Sequence, residues 1–526
     1  MENEEIREDL KELIERKQFL YDENRPKAVE SRRKKGRRTA RENIADLCND
    51  DSFLEIGSLI VAGQRGRLTQ QELIEHTPAD GLITGIGNVN QELFEEEVSK
   101  CIILSYDYTV LAGTQGGFNH KKTDRMMTIA KKTQRPVVFF VEGGGGRPGD
   151  VDFDAISNGG LDIMTFVEYA RLSGMVPRIA IVSGYCFAGN AAIAGCSDVI
   201  IATKDSNIGM GGPAMIEGGG LGKFHPKEIG PVSIQSPNGV IDIVVEDEEE
   251  AVISAKKYLS YFQGITEYWD CEDQLALRNG VPENRKFGYD VRKIIRIMAD
   301  SESVLELRQM FAPNLLTAFI RVEGRPLGLI ANSTRHLGGA IDGPAADKAS
   351  RFMQLCDAFN IPILSLCDAP GFMVGPDCEA DAMVRHASRM FVVGASLNVP
   401  ILTVVLRKAY GLGAMAMSGG SLHESVFTVS WPTGEFGPMG LEGAVKLGFK
   451  KELEAVEDLK EREALYESLV QASYDRGKAI AAASKLEFDE VIDPQDTRKW
   501  ISTALESLAV NQDRSERRNH RFIDTW

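Results

Sequence analysis

The stretch "SGYCFAGNAAIAGCSD", residues Ser183–Asp198, decides the fold. It follows the apolar run "PRIAIV" (177–182), and it holds three glycines but no histidine and, before Asp198, no acid. A strand that ends in glycines and leads into a helix leaves backbone N–H groups unpaired, and small side chains let a ligand approach that backbone. A glycine after a strand is most often a simple turn or a close-packing position. The stretch therefore predicts either a packed turn or a site that works through its backbone.

Three apolar runs are each typical of a buried strand that leads into a glycine turn. They are "KCIILSYDYTVLAG" (100–113), "RPVVFFVEGGGG" (135–146) and "PRIAIVSGY" (177–185). Helical stretches lie between them, and this alternation predicts an α/β fold. A less apolar connection follows at 233–300, and in it "VEDEEEAVISAKKYLSYF" carries acids at a predicted helix start, where they favour the helix dipole. We place the domain boundary in this connection and predict domains at residues 1–265 and 266–526.

The second half of the chain repeats the first. "RPVVFFVEGGGG" resembles "IPILSLCDAPGF" (361–372), and "VPRIAIVSGYCFAGNAAIAG" (176–195) resembles "VPILTVVLRKAYGLGAMAMSGG" (399–420). The matching prolines are 226 and 223 residues apart, and a third match, "NIGMGGPAMI" with "EFGPMGLEGA", aligns glycines 228 residues apart. Such a period is far too long for a solenoid repeat. The pattern predicts two copies of one α/β domain, each with glycine turns after corresponding strands.

Composition restricts the class of protein. The chain has 526 residues, which favours two domains, and a formal net charge of −17, which argues against nucleic acid or an anionic membrane as the main partner. Its eight cysteines form no CxxC pair, so neither a zinc site nor a disulfide scaffold is indicated. The acidic N-terminal sequence lacks a signal-peptide pattern, and no apolar run reaches the ~20 residues of a membrane span. We expect a cytoplasmic protein.

Titratable candidates for catalysis are few. His386, in "MVRHASRMF", stands on a predicted helix, and a lone helical histidine is more often structural. Asp368 and Glu142 each precede a turn, so we interpret them as acids that support the turns rather than as general bases. Cys186 is interpreted as a small buried residue. The chain has no GxxxxGK[ST] loop, "GGGGRPGD" lacks the full dinucleotide fingerprint, and no lysine-centred biotin attachment site is present.

Two glycine turns side by side could each contribute one N–H to hold the oxygen of a thioester carbonyl as it becomes an enolate. Removing one donor from such an oxyanion hole typically costs ~3–4 kcal/mol in the barrier. A basic cluster, "SRRKKGRRTAR" (31–41), is either a solvated helix face or a contact for the phosphates of an anionic ligand. Both alternatives remain open on spacing alone.

Collinear motifs resemble the carboxyltransferase (β) subunit of biotin-dependent acyl-CoA carboxylases, the family of propionyl-CoA and acetyl-CoA carboxylases and of the transcarboxylase large subunit. The likeness spans nearly the whole chain. It is carried by "KGRRTARENIADLCNDDSFLEIG", "TPADGLITGIGNV", "KFGYDVRKIIRIMAD", "GRPLGLIAN", "DAPGFMVG", "VRHASRMF", "VPILTVVLRKAYG" and "EVIDPQDTRKWISTAL".

The resemblance implies two tandem crotonase-like domains related by internal duplication. It implies a homohexamer whose active sites lie between the N-terminal domain of one subunit and the C-terminal domain of another. The N-terminal domain would hold acyl-CoA, and the C-terminal domain would hold carboxybiotin on a separate carrier protein, charged by a biotin carboxylase. The cofactor would supply the base, which explains why the chain shows none. No metal, nucleic acid or membrane insertion is expected.

The family's site residues carry over by position. The thioester hole would use the amides of Gly146 and Gly189, beside Ala188. The biotin-side hole would use the amides of Phe372 and Gly413, shaped by Gly371, Gly411 and Leu412. Lys35, Arg38 and Gly145 would contact CoA, and Met415 would line the substrate pocket.

Three departures from the family pattern stand in these motifs. Where the family reads D-S-G-G-A-R-I-Q-E-G the chain reads "EGGGGRPGD", "GYCFAG" replaces G-P-C-A-G-G, and "KAYGLGA" replaces K-A-Y-G-G-A-Y. Backbone amides survive such substitutions, although Leu412 could crowd the biotin. We expect transfer to a short acyl-CoA such as propionyl-CoA or acetyl-CoA. The alternatives are a subunit of a malonyl-type-CoA decarboxylase complex, a biotin-independent crotonase-type enzyme that uses Glu217 or Asp150, and an inactive scaffold.

Overall fold

The predicted pattern of strands followed by glycine turns occurs once in each half of the chain. The computed structural model describes residues 6–147, 149–152, 161–508 and 522–526. They form two compact units, Met1–Gln263 with Thr525 (unit 1) and Gly264–Asp524 with Trp526 (unit 2). Each unit has its own mixed sheet and its own apolar core.

Unit 1 is built on a seven-stranded sheet in the order β1-β2-β3-β4-β5-β7-β9, with β6 and β8 forming a separate parallel pair. The β1–β2 and β2–β3 pairings are antiparallel, and the other pairings are parallel. The three apolar runs of the sequence form β3, β4 and β5, as predicted. The strands are β1 Leu54–Glu55, β2 Leu82–Asn88, β3 Lys100–Tyr106, β4 Val137–Phe140, β5 Arg178–Val182, β6 Tyr185–Phe187, β7 Val199–Thr203, β8 Asn207–Gly209 and β9 Ile243–Val245.

Helices of unit 1 surround this sheet. Three acids of "VEDEEE", Glu248, Glu249 and Glu250, stand in the first turn of the helix Glu248–Gln263, as the sequence predicted. The helices are α1 Glu8–Gln18, α2 Pro26–Arg33, α3 Ala40–Leu47, α4 Gln70–His76, α5 Glu96–Ser99, α6 Gly117–Thr133, α7 Thr165–Ala170, α8 Gly189–Gly195, α9 Pro213–Gly218, α10 Val232–Gln235 and α11 Glu248–Gln263, with 3₁₀ turns at Asp22–Asn24, Pro78–Gly81, Leu111–Gly113 and Pro226–Glu228.

Unit 2 repeats the topology with eight strands in the order β10-β11-β12-β13-β14-β15-β17, and β16 pairs with β14. The β10–β11 and β11–β12 pairings are antiparallel and the others parallel, as at the matching edge of unit 1. The strands are β10 Leu305–Leu307, β11 Leu315–Val322, β12 Arg325–Asn332, β13 Ile363–Ala369, β14 Ile401–Tyr410, β15 Phe427–Ser430, β16 Glu435–Gly437 and β17 Glu490–Val491.

Helices of unit 2 include two that match unit 1: α13 corresponds to α6, and α16 corresponds to α8. The helices are α12 Val291–Met298, α13 Gly343–Ala358, α14 Pro376–Ala380, α15 Met383–Gly394, α16 Gly411–Met417, α17 Leu441–Gly448, α18 Lys450–Glu454, α19 Leu459–Gly477, α20 Ala479–Ala483 and α21 Thr497–Ser507, with 3₁₀ turns at Gln274–Asn279, Leu337–Gly339 and Pro494–Asp496.

Burial explains why the central strands are continuously apolar. Every residue of β4, β5 and β7 in unit 1 and of β13 in unit 2 is buried. Parallel strands covered by other elements on both faces carry this pattern rather than an alternating one. Ligand-facing groups are therefore left to the turns at the carboxyl ends of these strands.

Candidate functional site: paired glycine turns

The first turn of unit 1 is Gly143–Gly146, directly beyond β4. Gly143 donates its N–H to the Tyr185 carbonyl at 2.7 Å and accepts one from the Phe187 N–H at 3.0 Å. Gly145 has φ +89°, a conformation that favours glycine, and its carbonyl accepts the Gln115 N–H at 2.8 Å. The turn is thus fixed against β6 on one side and against Gln115 on the other.

The second turn of unit 1 leads from β6 through Ala188 into α8. Ala188 has φ 52° and donates its N–H to the Gly209 carbonyl at 3.1 Å. A Cβ placed on Gly145 would lie 2.6 Å from the Ala188 Cβ, so the two turns touch. Within the described residues the amides of Gly146 and Gly189 donate no hydrogen bond. Two adjacent turns therefore each present one unpaired N–H, as an oxyanion hole requires.

Unit 2 repeats this arrangement. The Gly371 carbonyl, at φ +128°, accepts the Ile341 N–H at 3.1 Å, and Met373 donates to the Ile341 carbonyl at 2.8 Å. These contacts match those of Gln115 with Gly145 and Arg147 in unit 1. The amide of Phe372, like that of Gly146, donates no hydrogen bond in the part of the chain described.

Strand register defines which residues of the two units correspond. Gly143 pairs with Cys186 in unit 1, and Ala369 pairs with Ala409 in unit 2. Counting three residues onward from each pair, Gly146 corresponds to Phe372 and Gly189 corresponds to Leu412. Ala188 and Gly411 then correspond as well, and both have positive φ, 52° and 55°.

Gly413, named for the biotin-side hole from the family pattern, lies one residue beyond Leu412 and corresponds to Asn190. A Cβ on Gly413 would stand 2.8 Å from the Gly371 Cα and 3.1 Å from the Phe372 nitrogen. Gly413 therefore lets helix α16 pack directly on the turn of unit 2 that holds Gly371 and Phe372. On the same helix Leu412 is exposed and Met415 is 38% exposed.

The basic cluster is not simply a solvated helix face, because two of its arginines form ion pairs with acids of other segments. Arg32 is buried and donates to Glu142 at 2.7 Å and to Glu248 at 3.3 Å. Arg38 pairs with Asp46 at 2.6 Å and with Glu249 at 2.9 Å.

Lys35 differs from its neighbours in the cluster. It is exposed, and its ammonium lies 5.1 Å from the ring centre of Tyr108. No carboxylate pairs with it in the described ranges. Of the three residues predicted to contact CoA, Lys35 has a free charge, Arg38 has two carboxylate partners, and Gly145 already uses its N–H and carbonyl within unit 1.

The two acids that precede the turns are both engaged. Glu142 is held by Arg32, and burial raises the pKa of its carboxyl group against the opposing effect of that arginine. Asp368 accepts from the Tyr289 hydroxyl at 2.8 Å and from Arg407 Nε at 3.1 Å. Neither carboxylate is placed as a free general base.

The other titratable candidates are also engaged or inert. Asp150 is buried and lies 3.3 Å from Arg147 Nη1 and from Gln64 Nε2. Glu217 is exposed and pairs with Lys223 at 2.7 Å. Burial raises the pKa of the Cys186 thiol, so the thiolate is disfavoured. His386 is held through Nδ1 by Asp347 at 2.7 Å.

Three side chains beside the first turn were not anticipated. Asn190 accepts the Gly145 N–H, Arg147 is anchored on Asp80, and Gln115 donates to the Tyr106 hydroxyl at 2.9 Å. The only sequence signal for them was position next to the glycines. Among the described residues, no helix is long and apolar enough to cross a membrane, and no group of three or more histidine, cysteine or acidic side chains is placed to hold a metal ion.

Comparison with known proteins extends these observations. A family model described as "Carboxyl transferase domain" matches residues 31–523. The methylmalonyl-CoA carboxyltransferase 12S subunit of Propionibacterium freudenreichii subsp. shermanii is 34% identical over 521 residues, covering 97% of this chain and 96% of that protein.

Solved structures show the same likeness. A single-chain, multi-domain long-chain acyl-CoA carboxylase matches with a TM-score of 0.90 and 54% identity, covering 95% of this chain and 49% of that one. The chain thus spans about half the length of that enzyme. A crystal structure of transcarboxylase 12S, described with its hexamer assembly and with methylmalonyl-coenzyme A bound, matches with a TM-score of 0.83 and 33% identity over 94% of each chain. These matches confirm the predicted fold class.

Proposed function

The chain belongs to the carboxyl transferase family, and from this premise we propose that it moves a carboxyl group from carboxybiotin, held on a separate carrier protein, to the α-carbon of an acyl-CoA. The family model and the named relatives confirm the resemblance found in the sequence and make the chain a carboxyltransferase enzyme of the acyl-CoA carboxylases. The donor, the acyl chain and the partners are the proposal.

The observation that carries the proposal is the duplicated pair of turns with unpaired amides. In unit 1 the amides of Gly146 and Gly189 would hold the thioester oxygen as negative charge develops on it, and each such donor is worth ~3–4 kcal/mol in the barrier. In unit 2 the amide of Phe372, with that of Leu412 or Gly413, would hold the ureido oxygen of biotin. A neutral carbonyl oxygen suits two N–H donors with no charged side chain between them.

Bound carboxybiotin would supply both the carboxyl group and the base for the α-proton. If the cofactor supplies the base, the chain itself needs no free base. The carboxylates of Glu142, Asp368 and Asp150 agree with this, because each is already paired with a cation or a hydrogen-bond donor. The chain's own groups would bind and orient the two substrates and stabilise the oxyanions. Lys35 is the best placed cation of the basic cluster to contact CoA phosphates.

Two acyl-chain classes are candidates. The sequence favours a short acyl-CoA such as propionyl-CoA or acetyl-CoA, and the 12S relative acts on methylmalonyl-CoA by its name. The 54% identical carboxylase is a long-chain enzyme by its description, and this chain carries exposed apolar side chains just beyond the Gly209 carbonyl that receives Ala188. They are Met210, Met215, Leu221 and Phe224.

Calorimetry with acetyl-, propionyl- and palmitoyl-CoA would decide between these classes. Leu221→Asp should weaken palmitoyl-CoA binding alone if the apolar side chains hold a long chain, and Leu486→Asp, at an exposed position of unit 2, is the matched control. Equal affinity of the protein for all three thioesters, unchanged by Leu221→Asp, would exclude a long-chain site at these side chains and would support the short-chain class.

A biotin carboxylase, a biotin carrier and a hexamer of this chain complete the proposal, together with a cytoplasmic location. Support for the hexamer comes from the 12S structure, whose description reports hexamer assembly. Sedimentation velocity of the purified protein tests it, because a monomer would contradict the hexamer directly.

Carboxyl exchange is the test of the proposed activity. The protein is incubated with malonyl-CoA or methylmalonyl-CoA, with and without biocytin, and loss of the carboxylated thioester is measured. Loss that depends on biocytin supports the proposal. Loss without biocytin that disappears in Asp150→Asn or Glu217→Gln supports a crotonase-type enzyme instead. No loss in any condition, with no CoA thioester bound, supports a scaffold.

A further inference from the structure

Asn190 connects three segments around the first turn of unit 1. It is the second residue of α8 and is fully buried. Its Oδ1 accepts the Gly145 N–H at 2.9 Å, and its Nδ2 donates to the Gly113 carbonyl at 3.4 Å. A single side chain from the second turn therefore holds the backbone of the first.

This contact fixes the Gly144–Gly145 peptide, which is joined at the Gly145 Cα to the peptide that carries the Gly146 amide. The Gly145 carbonyl and the Gly146 N–H belong to one planar trans peptide, so they point in opposite directions. With the carbonyl directed at the Gln115 N–H and the Gly145 N–H fixed by Asn190, the Gly146 N–H points away from Gln115. A Cβ on Gly146 would meet nothing within 4 Å, so the space beside the Gly146 Cα is open among the described residues.

Unit 2 fixes its corresponding turn by other means. Gly413 stands where unit 1 has Asn190, and Pro370 stands where unit 1 has Gly144. The pyrrolidine ring of a proline fixes φ covalently. Four successive glycines, Gly143–Gly146, have no such restraint and the largest backbone freedom of any residues. In unit 1 the flexible glycine turn is held by the side chain of Asn190. In unit 2 the turn is restrained by Pro370, and the position that corresponds to Asn190 has no side chain.

We infer that Asn190 is a positioning residue: by holding the Gly145 N–H it limits rotation at the Gly145 Cα, so that the Gly146 amide stays placed to donate to the thioester oxygen. The inference rests on the proposed use of this turn as an oxyanion hole. Small misplacements of such donors reduce rates strongly.

The first test measures binding without turnover. Calorimetry compares propionyl-CoA with propyl-CoA, a thioether that lacks the carbonyl oxygen. Wild-type protein should prefer the thioester, Asn190→Ala should lose most of that preference with unchanged thioether affinity, and Asn190→Asp, which keeps the acceptor oxygen, should retain it. No preference in wild-type protein, or a preference unchanged in Asn190→Ala, overturns the inference.

The second test uses the exchange reaction. Asn190→Ala should lower kcat by about tenfold or more with KM for the thioester changed less than about threefold. Tyr169→Phe, which removes a buried hydrogen bond to Ser197 elsewhere in unit 1, is the control for lost stability, and its kcat should match wild type. If Tyr169→Phe shows the same loss of kcat, the effect of Asn190 is structural. If wild-type protein shows no exchange while the binding result holds, the proposed function fails and the inference stands.

Discussion

Arg147, the residue after Gly146 in the chain, donates through Nη1 to Asp80 Oδ1 at 2.6 Å, and neither side chain is more than 5% exposed. Burial raises the pKa of Asp80 while Arg147 opposes that shift, and Asp80 Oδ2 has no hydrogen-bond partner among the described residues. Met373 stands at the position of unit 2 that corresponds to Arg147. The ion pair is therefore specific to the turn that we assign to acyl-CoA.

Replacing Arg147 by the residue of the other unit tests this pair. Arg147→Met should destabilise the protein by about 3–5 kcal/mol, because it leaves the Asp80 carboxylate buried without its cation. The free energy of unfolding in urea measures it. The double variant Arg147→Met with Asp80→Ala should recover part of the loss, and an Arg147→Met protein as stable as wild type would contradict the prediction.

Two buried lysines, one in each unit, should make similar contributions to the free energy of unfolding. Lys122 Nζ donates to the carbonyls of Ala79 and Leu82, and Lys348 Nζ donates to those of Phe311 and Leu315 at 2.8 Å each. Lys122→Met or Lys348→Met would remove two buried hydrogen bonds from a charged donor, at about 1.5–3 kcal/mol for each bond. Urea unfolding should show a loss for both, and none for Lys485→Met at an exposed position. An unchanged free energy of unfolding for either buried variant would refute the prediction that Lys122 and Lys348 play the same role in the two units.

Acid should destabilise unit 1 through His120. Burial, with a smaller effect of Arg147, lowers the pKa of His120 from 6.5 to about 4. The folded state thus keeps the imidazole neutral, while the unfolded state takes up a proton below pH 6.5, so stability falls as pH falls from about 6.5 to about 4.

The loss attributable to His120 is about 2 kcal/mol between pH 7 and pH 5. Urea unfolding of wild type and His120→Gln at both pH values measures it. The variant should lose less stability on acidification by that amount, and parallel losses would show that other groups cause the effect.

Gly413→Ala should reduce the biocytin-dependent reaction without changing acyl-CoA binding. The new Cβ would meet backbone atoms, the Gly371 carbonyl carbon at 2.7 Å and its Cα at 2.8 Å, so the turn that carries the Phe372 amide must move. Biocytin-dependent exchange should fall about tenfold or more, since the oxyanion donors lose their geometry. Propionyl-CoA affinity by calorimetry should not change.

Gly448→Ala is the matched control, because a Cβ there meets nothing within 4 Å. It should exchange carboxyl groups as wild type does. Wild-type exchange in Gly413→Ala would contradict the prediction, because the reaction would then not depend on how α16 packs against the turn that carries the Phe372 amide.

Much of the fold followed from local pattern. The runs ending at Tyr106, Phe140 and Val182 form strands where the sequence placed them, because continuous apolar runs fit parallel strands buried on both faces. The duplication also followed. Gly143 pairs with Cys186 in unit 1 and Ala369 pairs with Ala409 in unit 2, and the corresponding residues, Gly143 and Ala369, and Cys186 and Ala409, are 226 and 223 residues apart, the spacings found in the sequence.

The side chains that support the site did not follow from pattern. Arg38 belongs to a cluster that suggests a phosphate contact, yet its guanidinium meets Glu249, which is 211 residues away in the chain. Asp80 and Arg147 are separated by 67 residues. Such pairs depend on how distant segments pack, and charge or spacing within one segment carries no information about them.

By itself the sequence determined the α/β class, the duplication, the glycine turns and the family, because strand burial, turn conformation and motif order are properties of short segments. Only the tertiary structure decided which amides stay unpaired, that Leu412 corresponds to Gly189, and that Asn190 holds Gly145. Hydrogen-bond partners are chosen by proximity in the folded chain, and a buried donor or acceptor must take the partner that packing brings to it.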